Sequence, residues 1–151
     1  MFDGDRDIGD GGADKVLLCG APRQSEVGFL TLFEAYGHVE VGMRLKRPAA
    51  PVWVVCSESH YSVLFSLEAC RCAAAGEGAA TGGSTRTPFD VHYYDGLANQ
   101  DEPIVLTVDP TPATQQPGAD DDGDLIPPLD LVVRTKWRGA AVDWNGTDPI
   151  L

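Results

Sequence analysis

The run Val52-Trp53-Val54-Val55-Cys56 constrains the chain more than any other segment. Unbroken β-branched and aromatic residues of this length read as a strand buried on both faces. The polar Ser57-Glu58-Ser59 interrupts the run, His60 follows, and Tyr61–Ser66 forms a second strand. Phe89–Asp95 reads as a third strand closed by the turn signal Asp95-Gly96, and Ile104–Val108 as a fourth. Leu129–Trp137 reads as a fifth, with Leu129, Leu131, Val133, Thr135 and Trp137 on one face. Short links and inserted hairpin loops, in place of crossover helices, imply a mainly antiparallel sheet. Helical spacing occurs in one place, Glu26–Tyr36, where Val27, Phe29, Leu30, Leu32, Phe33 and Tyr36 precede Gly37. The expected class is therefore α+β, a mainly antiparallel sheet with few helices. One helix cannot cover five strands, so one sheet face is expected to lie open.

Two stretches interrupt this pattern. Residues 68–88 are rich in Ala, Gly and Thr, and residues 109–128 in Pro and Asp, so both read as flexible loop insertions. Residues 1–14 are Gly- and Asp-rich and read as irregular. Setting these aside leaves roughly 100 residues for a core, a marginal size for independent folding. The chain of 151 residues thus reads as part of a single domain.

The formal net charge of −12 argues against nucleic-acid binding, which needs clustered Lys and Arg, and against attachment to anionic lipid. Nine of the 23 acids fall in the runs Asp3–Asp14 and Asp120–Asp124, where they read as solvated loop charge. No apolar run reaches the ~20 residues of a membrane span. The acidic N-terminus does not read as a secretory leader, and Cys19, Cys56, Cys70 and Cys72 lack the spacing of a disulfide framework. An intracellular, cytoplasmic protein is expected, with a nuclear location also compatible.

No cofactor is expected, and no metal. Among His38, His60, His92 and the cysteines no pair has ligand spacing, and Cys70-x-Cys72 is too close. Asp3-x-Asp5-x-Asp7 fails as a calcium loop because Ile8 and Asp14 stand where Gly and Glu are needed. Trp53, Trp137 and Trp144 read as packing residues, and Cys19 as a small buried one.

His60 ends the polar link and opens a strand, a placement suited to general-base work near neutral pH. A hydrogen-bonded structural histidine is the commoner outcome for such spacing. If Leu64 pairs with Val91, His60 falls opposite Asp95 on one face, and a carboxylate there accepts the Nδ1 proton and orients the ring. A slip of one residue would separate the two. Glu58 and a neighbouring carbonyl compete for the orienting role, and Asp95 equally suits turn initiation before Gly96. In the same register His92 lies on the face opposite His60.

The segment Pro51–Ser66, with Trp53-Val54-Val55-Cys56-Ser57-Glu58-Ser59-His60 at its centre, resembles the catalytic-histidine segment of the MINDY deubiquitinases. Val27–Glu34, Phe89–Gln100 and Leu129–Leu151 resemble further family blocks in the same order. Tyr61 stands where the most similar branch has Phe. The resemblance implies a papain-like fold, here the C-terminal part of one catalytic domain covering residues 1–151. It implies hydrolysis of ubiquitin chains joined through the lysine linkage that marks proteins for the proteasome, with ubiquitin and polyubiquitin as partners. It places the catalytic histidine on His60. The family's nucleophilic cysteine lies upstream, in a Gln/Pro-Cys-Gly setting at a helix N-terminus where the dipole favours thiolate. None of the four cysteines has that setting, so the nucleophile is expected outside this chain. The competing expectations are a catalytically inactive ubiquitin-binding fragment and a fragment that does not fold alone.

Overall fold

The structure is a computed structural model that describes residues 1–8, 16–68, 87–98, 100–111 and 126–149. Most of the two expected insertions, together with Cys70, Cys72 and Asp14, lies outside the described residues. The fold is α+β. A two-stranded antiparallel sheet pairs β1 (Arg6–Ile8) with β2 (Val16–Leu18). A six-stranded sheet runs in sequence order through β3 (Gly28–Thr31), β4 (Val52–Ser57), β5 (His60–Phe65), β6 (Phe89–Tyr94), β7 (Ile104–Asp109) and β8 (Ala141–Asp143). Only β3 and β4 are parallel, and every other pair in the sheet is antiparallel.

Three expectations change. Glu26–Tyr36 is not one helix: β3 occupies its first half and a single turn, α1 (Leu32–Ala35), its second. Thr31 breaks the segment, because its extended backbone lets Oγ1 accept the Phe33 N–H at 3.3 Å as an N-cap. Gly28 at the start of β3 packs so close to Trp53 that a Cβ there would run into the indole ring and the Leu45 carbonyl. Another turn, α2 (Met43–Lys46), follows α1. The third change is larger. Leu129–Trp137 is not a strand but the helix α3 (Pro128–Lys136). Pro128 at its N-terminus, Asp130 in the first turn and Arg134 and Lys136 in the last are helix signals that stand against the β-branched pair Val132-Val133. The buried positions Leu129, Val132, Val133 and Trp137 recur at helical spacing, whereas Leu131 and Thr135 are half-buried. Two smaller differences remain: Arg6–Ile8 are a strand within the segment expected to be irregular, and Asp109 and Pro128 belong to β7 and α3, not to a loop.

Alternation along the strands decides where the core sits. Trp53, Val55, Leu64, Phe89, Val91, Leu106 and Val108 point to one face, where α1 and α3 cover them. At its centre the Trp137 ring meets Trp53 edge-on at 5.5 Å and Phe89 at 5.2 Å. Trp53 and Trp144 are also buried, and both indole N–H groups are satisfied: Trp53 donates to the Lys46 carbonyl at 3.0 Å and Trp144 to Asp130 Oδ1 at 2.9 Å. Lys136 Nζ, 4.9 Å from the centres of the Trp53 and Trp137 rings, donates to the same Lys46 carbonyl at 2.7 Å. The opposite face carries Val54, Val63, Phe65, His92, Tyr94 and Val105, all half-buried or exposed. The β4 run is thus fully covered on one face and only partly on the other, where Cys56 is buried and Val54 half-buried. Among the described residues no helix is long and apolar enough to cross a membrane.

Candidate functional site

The β4–β5 hairpin builds the site. Ser57 pairs with His60 across a two-residue turn, Glu58-Ser59. Glu58 holds φ at +55°, a left-handed conformation that glycine adopts far more readily at the first central position of such a turn. A tight turn fixes the strand ends rigidly, so His60 leaves the turn with a defined direction on the helix-covered face, at an end of the hairpin that the helices do not close.

The partner comes from β6. Leu64 pairs with Tyr93 and Val63 with Tyr94, a register two residues away from the expected Leu64–Val91 pairing. Because side chains alternate with a period of two, this slip keeps Asp95 on the His60 face. Continued one step, the register sets Asp95 across from Ser62, and its carboxylate reaches His60 diagonally. His60 Nε2 and Asp95 Oδ2 are 2.6 Å apart. The ring nitrogen facing the carboxylate is therefore Nε2, not the expected Nδ1. With Nε2–H donated to Asp95, the other ring nitrogen, Nδ1, carries the lone pair. The His60 side chain is 36% exposed and that of Asp95 8%. The imidazole has an open approach, while its carboxylate partner is shielded.

Asp95 makes a turn contact and a His60 contact at once. Its Oδ1 accepts the Leu97 N–H at 2.9 Å, closing an Asx turn over Gly96, while Oδ2 faces His60. Glu58 is exposed on the turn and its carbonyl accepts the Cys56 thiol at 3.5 Å. Beneath the pair, burial pushes the Tyr93 hydroxyl above its usual pKa, a hydrogen bond with Ser62 works against this, and the Asp95 charge adds to it. One contributor was not foreseen from the sequence. Asp95 donates its backbone N–H to Gln100 Oε1 at 2.6 Å. Its only sequence signal is its place at the end of the block Tyr93–Gln100.

Neither described cysteine, Cys19 or Cys56, supplies a partner for this imidazole. Cys56 is buried and pairs with Tyr61, which puts it on the sheet face opposite His60. Cys19 lies just past β2 and is exposed, not buried as expected. His92 also lies on the far face, its ring stacked on Phe65 at 5.1 Å. His38 is exposed after α1, against Phe33 and Tyr36. Among the described residues no cluster of His, Cys, Asp and Glu is able to hold a metal ion.

A half-open imidazole with a shielded carboxylate behind it is equipped to take up and return a proton at its exposed edge. The comparisons agree with the blocks seen in the sequence. The family described as "Deubiquitinating enzyme MINDY-3/4, conserved domain" matches residues 1–146. Curated relatives include "Probable ubiquitin carboxyl-terminal hydrolase MINDY-4" of Homo sapiens, 52% identical over 145 residues that make up 96% of this chain and 17% of the relative. Its counterpart in Xenopus tropicalis is 45% identical over 145 residues, 96% of this chain and 18% of that protein. "Ubiquitin carboxyl-terminal hydrolase MINDY-3" of Homo sapiens is 41% identical over 68 residues, 45% of this chain and 14% of that protein. The chain thus spans less than one fifth of the length of the relatives it matches. No solved structure matches it. On its sequence blocks and on these matches, the chain belongs to the MINDY-3/4 family of deubiquitinating enzymes.

Proposed function

We propose that this chain is the histidine-bearing part of a papain-like cysteine isopeptidase that hydrolyses polyubiquitin of the proteasome-targeting lysine linkage. The observation that carries the reading is the 2.6 Å contact between His60 Nε2 and Asp95 Oδ2, beside an exposed ring edge. In the proposed mechanism His60 is the general base and acid, and Asp95 orients it. A cysteine thiol from the family's upstream region gives its proton to Nδ1. The resulting thiolate attacks the carbonyl carbon of ubiquitin's terminal glycine. The Nδ1 proton then passes to the departing lysine amine as the C–N bond breaks, leaving a thioester. Water, deprotonated at Nδ1, hydrolyses the thioester and restores the thiol. Asp95 holds Nε2–H throughout, which keeps the lone pair on Nδ1 and steadies the imidazolium between the two transfers.

The test uses the full-length protein. It is expected to form a covalent adduct with a ubiquitin derivative bearing a C-terminal electrophile, and His60→Ala is expected to slow adduct formation by about 10²-fold or more. Adduct formation by His60→Ala at the parent rate refutes the assignment. Saturable ubiquitin binding with no adduct and no hydrolysis supports instead a non-catalytic ubiquitin-binding role.

A further inference from the structure

Strand β6 ends at Tyr94, so the ladder does not reach the Asp95 backbone. Beyond a strand end a buried N–H is costly unless something accepts it. Here Gln100 does so: its Oε1 takes the Asp95 N–H at 2.6 Å. The Leu97 N–H binds Asp95 Oδ1 at 2.9 Å, and the Ala98 N–H binds the Asp95 carbonyl at 3.2 Å. Backbone donor, backbone acceptor and one carboxylate oxygen of Asp95 are thus all engaged, and Oδ2 is left for His60.

The other end of Gln100 tells against simple packing. Its Nε2 is buried and has no hydrogen-bond partner among the described residues. Leu or Met would fill the same space without that penalty. A carboxylate would accept the Asp95 N–H equally well, but would add a second negative charge next to Asp95. The amide is the side chain that accepts this bond without altering the charge seen by His60.

We propose that Gln100 is a positioning residue that fixes the backbone at Asp95 and so aims its carboxylate at His60. The proposal rests on the reading of His60 as the general base. Rotation about the Asp95 backbone swings Oδ2 away from Nε2, and small misplacements of catalytic groups are costly in rate.

The experiment compares Gln100→Ala, Gln100→Glu and His60→Ala in the full-length protein. It reads the His60 ring titration by isotope-labelled histidine NMR, and kcat and KM on a fluorogenic ubiquitin amide, with kcat referred to electrophile-labelled active sites. Gln100→Ala is expected to lower kcat about 10- to 100-fold with KM within about twofold, and to move the His60 titration to lower pH. Gln100→Glu keeps the acceptor and adds charge, so it is expected to move the titration to higher pH with a smaller loss in kcat. Neither variant changes the other ionisable groups near His60 in the chain and on its sheet face, Glu58 on the turn, Tyr93 and Asp95 itself, and Tyr61 points to the opposite face. A role confined to packing would reduce the labelled fraction and leave the His60 titration where it was in both variants, and that result overturns the proposal. If His60→Ala abolishes labelling while both Gln100 variants match the parent, only the Gln100 inference falls. If His60→Ala labels at the parent rate, both fall.

Discussion

The two ends of the helix-covered sheet face are built on opposite principles. Near α3 the interior is closed: Trp137 is 2% exposed between Trp53 and Phe89, and the Trp53 and Trp144 indole N–H groups each have an acceptor. Near the β4–β5 turn the same face ends in Ser62, His60 and Asp95, with a left-handed glutamate on the turn and the Gln100 amide holding the Asp95 N–H. One end carries stability, and the other tolerates strain and exposed polarity. In the proposed mechanism His60 exchanges protons with a substrate, and a residue with that task cannot be sealed in a core. The second end therefore depends on the first for its rigidity.

The comparison is broken most severely at Trp137. Trp137→Ala removes the ring that joins α3 to the sheet and is expected to cost about 3–5 kcal/mol, read as a lower midpoint in a urea melt followed by circular dichroism. A loss under about 1 kcal/mol would mean that α3 is not what holds this face together. Glu58→Gly probes the other end. The +55° φ costs a non-glycine residue about 1–2 kcal/mol, and glycine's greater freedom in the unfolded chain offsets part of the relief. The variant is therefore expected to be more stable by up to about 1 kcal/mol in the same melt. A loss of stability would place the strain elsewhere.

The smallest effect sharpens the contrast from within the closed end. Burial raises the Asp130 carboxyl above its usual pKa, and the Trp144 N–H and the Arg134 charge only partly counter this. A carboxyl whose folded pKa exceeds its unfolded one binds its proton more tightly when folded. Its stabilising contribution is present below the unfolded value, about 4, and is lost as pH rises through the higher folded value. Asn resembles the protonated form and still accepts the Trp144 N–H. Asp130→Asn is expected to gain stability relative to the parent as pH rises from about 4 to 7, measured as the difference in melting temperature. A difference that does not change with pH would show that the carboxylate is not penalised there.

Much of the site was legible. The hairpin with His60 at its second strand follows from the β-branched run, the polar link and the next apolar run. Sheet periodicity put His60 and Asp95 on one face even though the assumed register was two residues off, because an even slip preserves the face. The ring nitrogen that meets Asp95 was not legible. It depends on a side-chain rotation and a diagonal approach that the sequence does not encode locally. Gln100 was missed for a similar reason: its Oε1 meets a backbone N–H, and a backbone group leaves no mark in side-chain pattern.

By itself, the sequence determined the four central strands, the α+β class with one sheet face left open, the shared face of His60 and Asp95, and the family blocks. These depend on local propensity and on a period of two, which neighbouring residues carry. Tertiary structure alone decided that Leu129–Trp137 is a helix, that Gly28–Thr31 pairs in parallel with β4, and which edge of the His60 ring is free. In each of these, two local patterns were equally admissible. The choice was made by a contact with residues far along the chain: Trp137 with Trp53 and Phe89, Gly28 with Trp53, and His60 with Asp95.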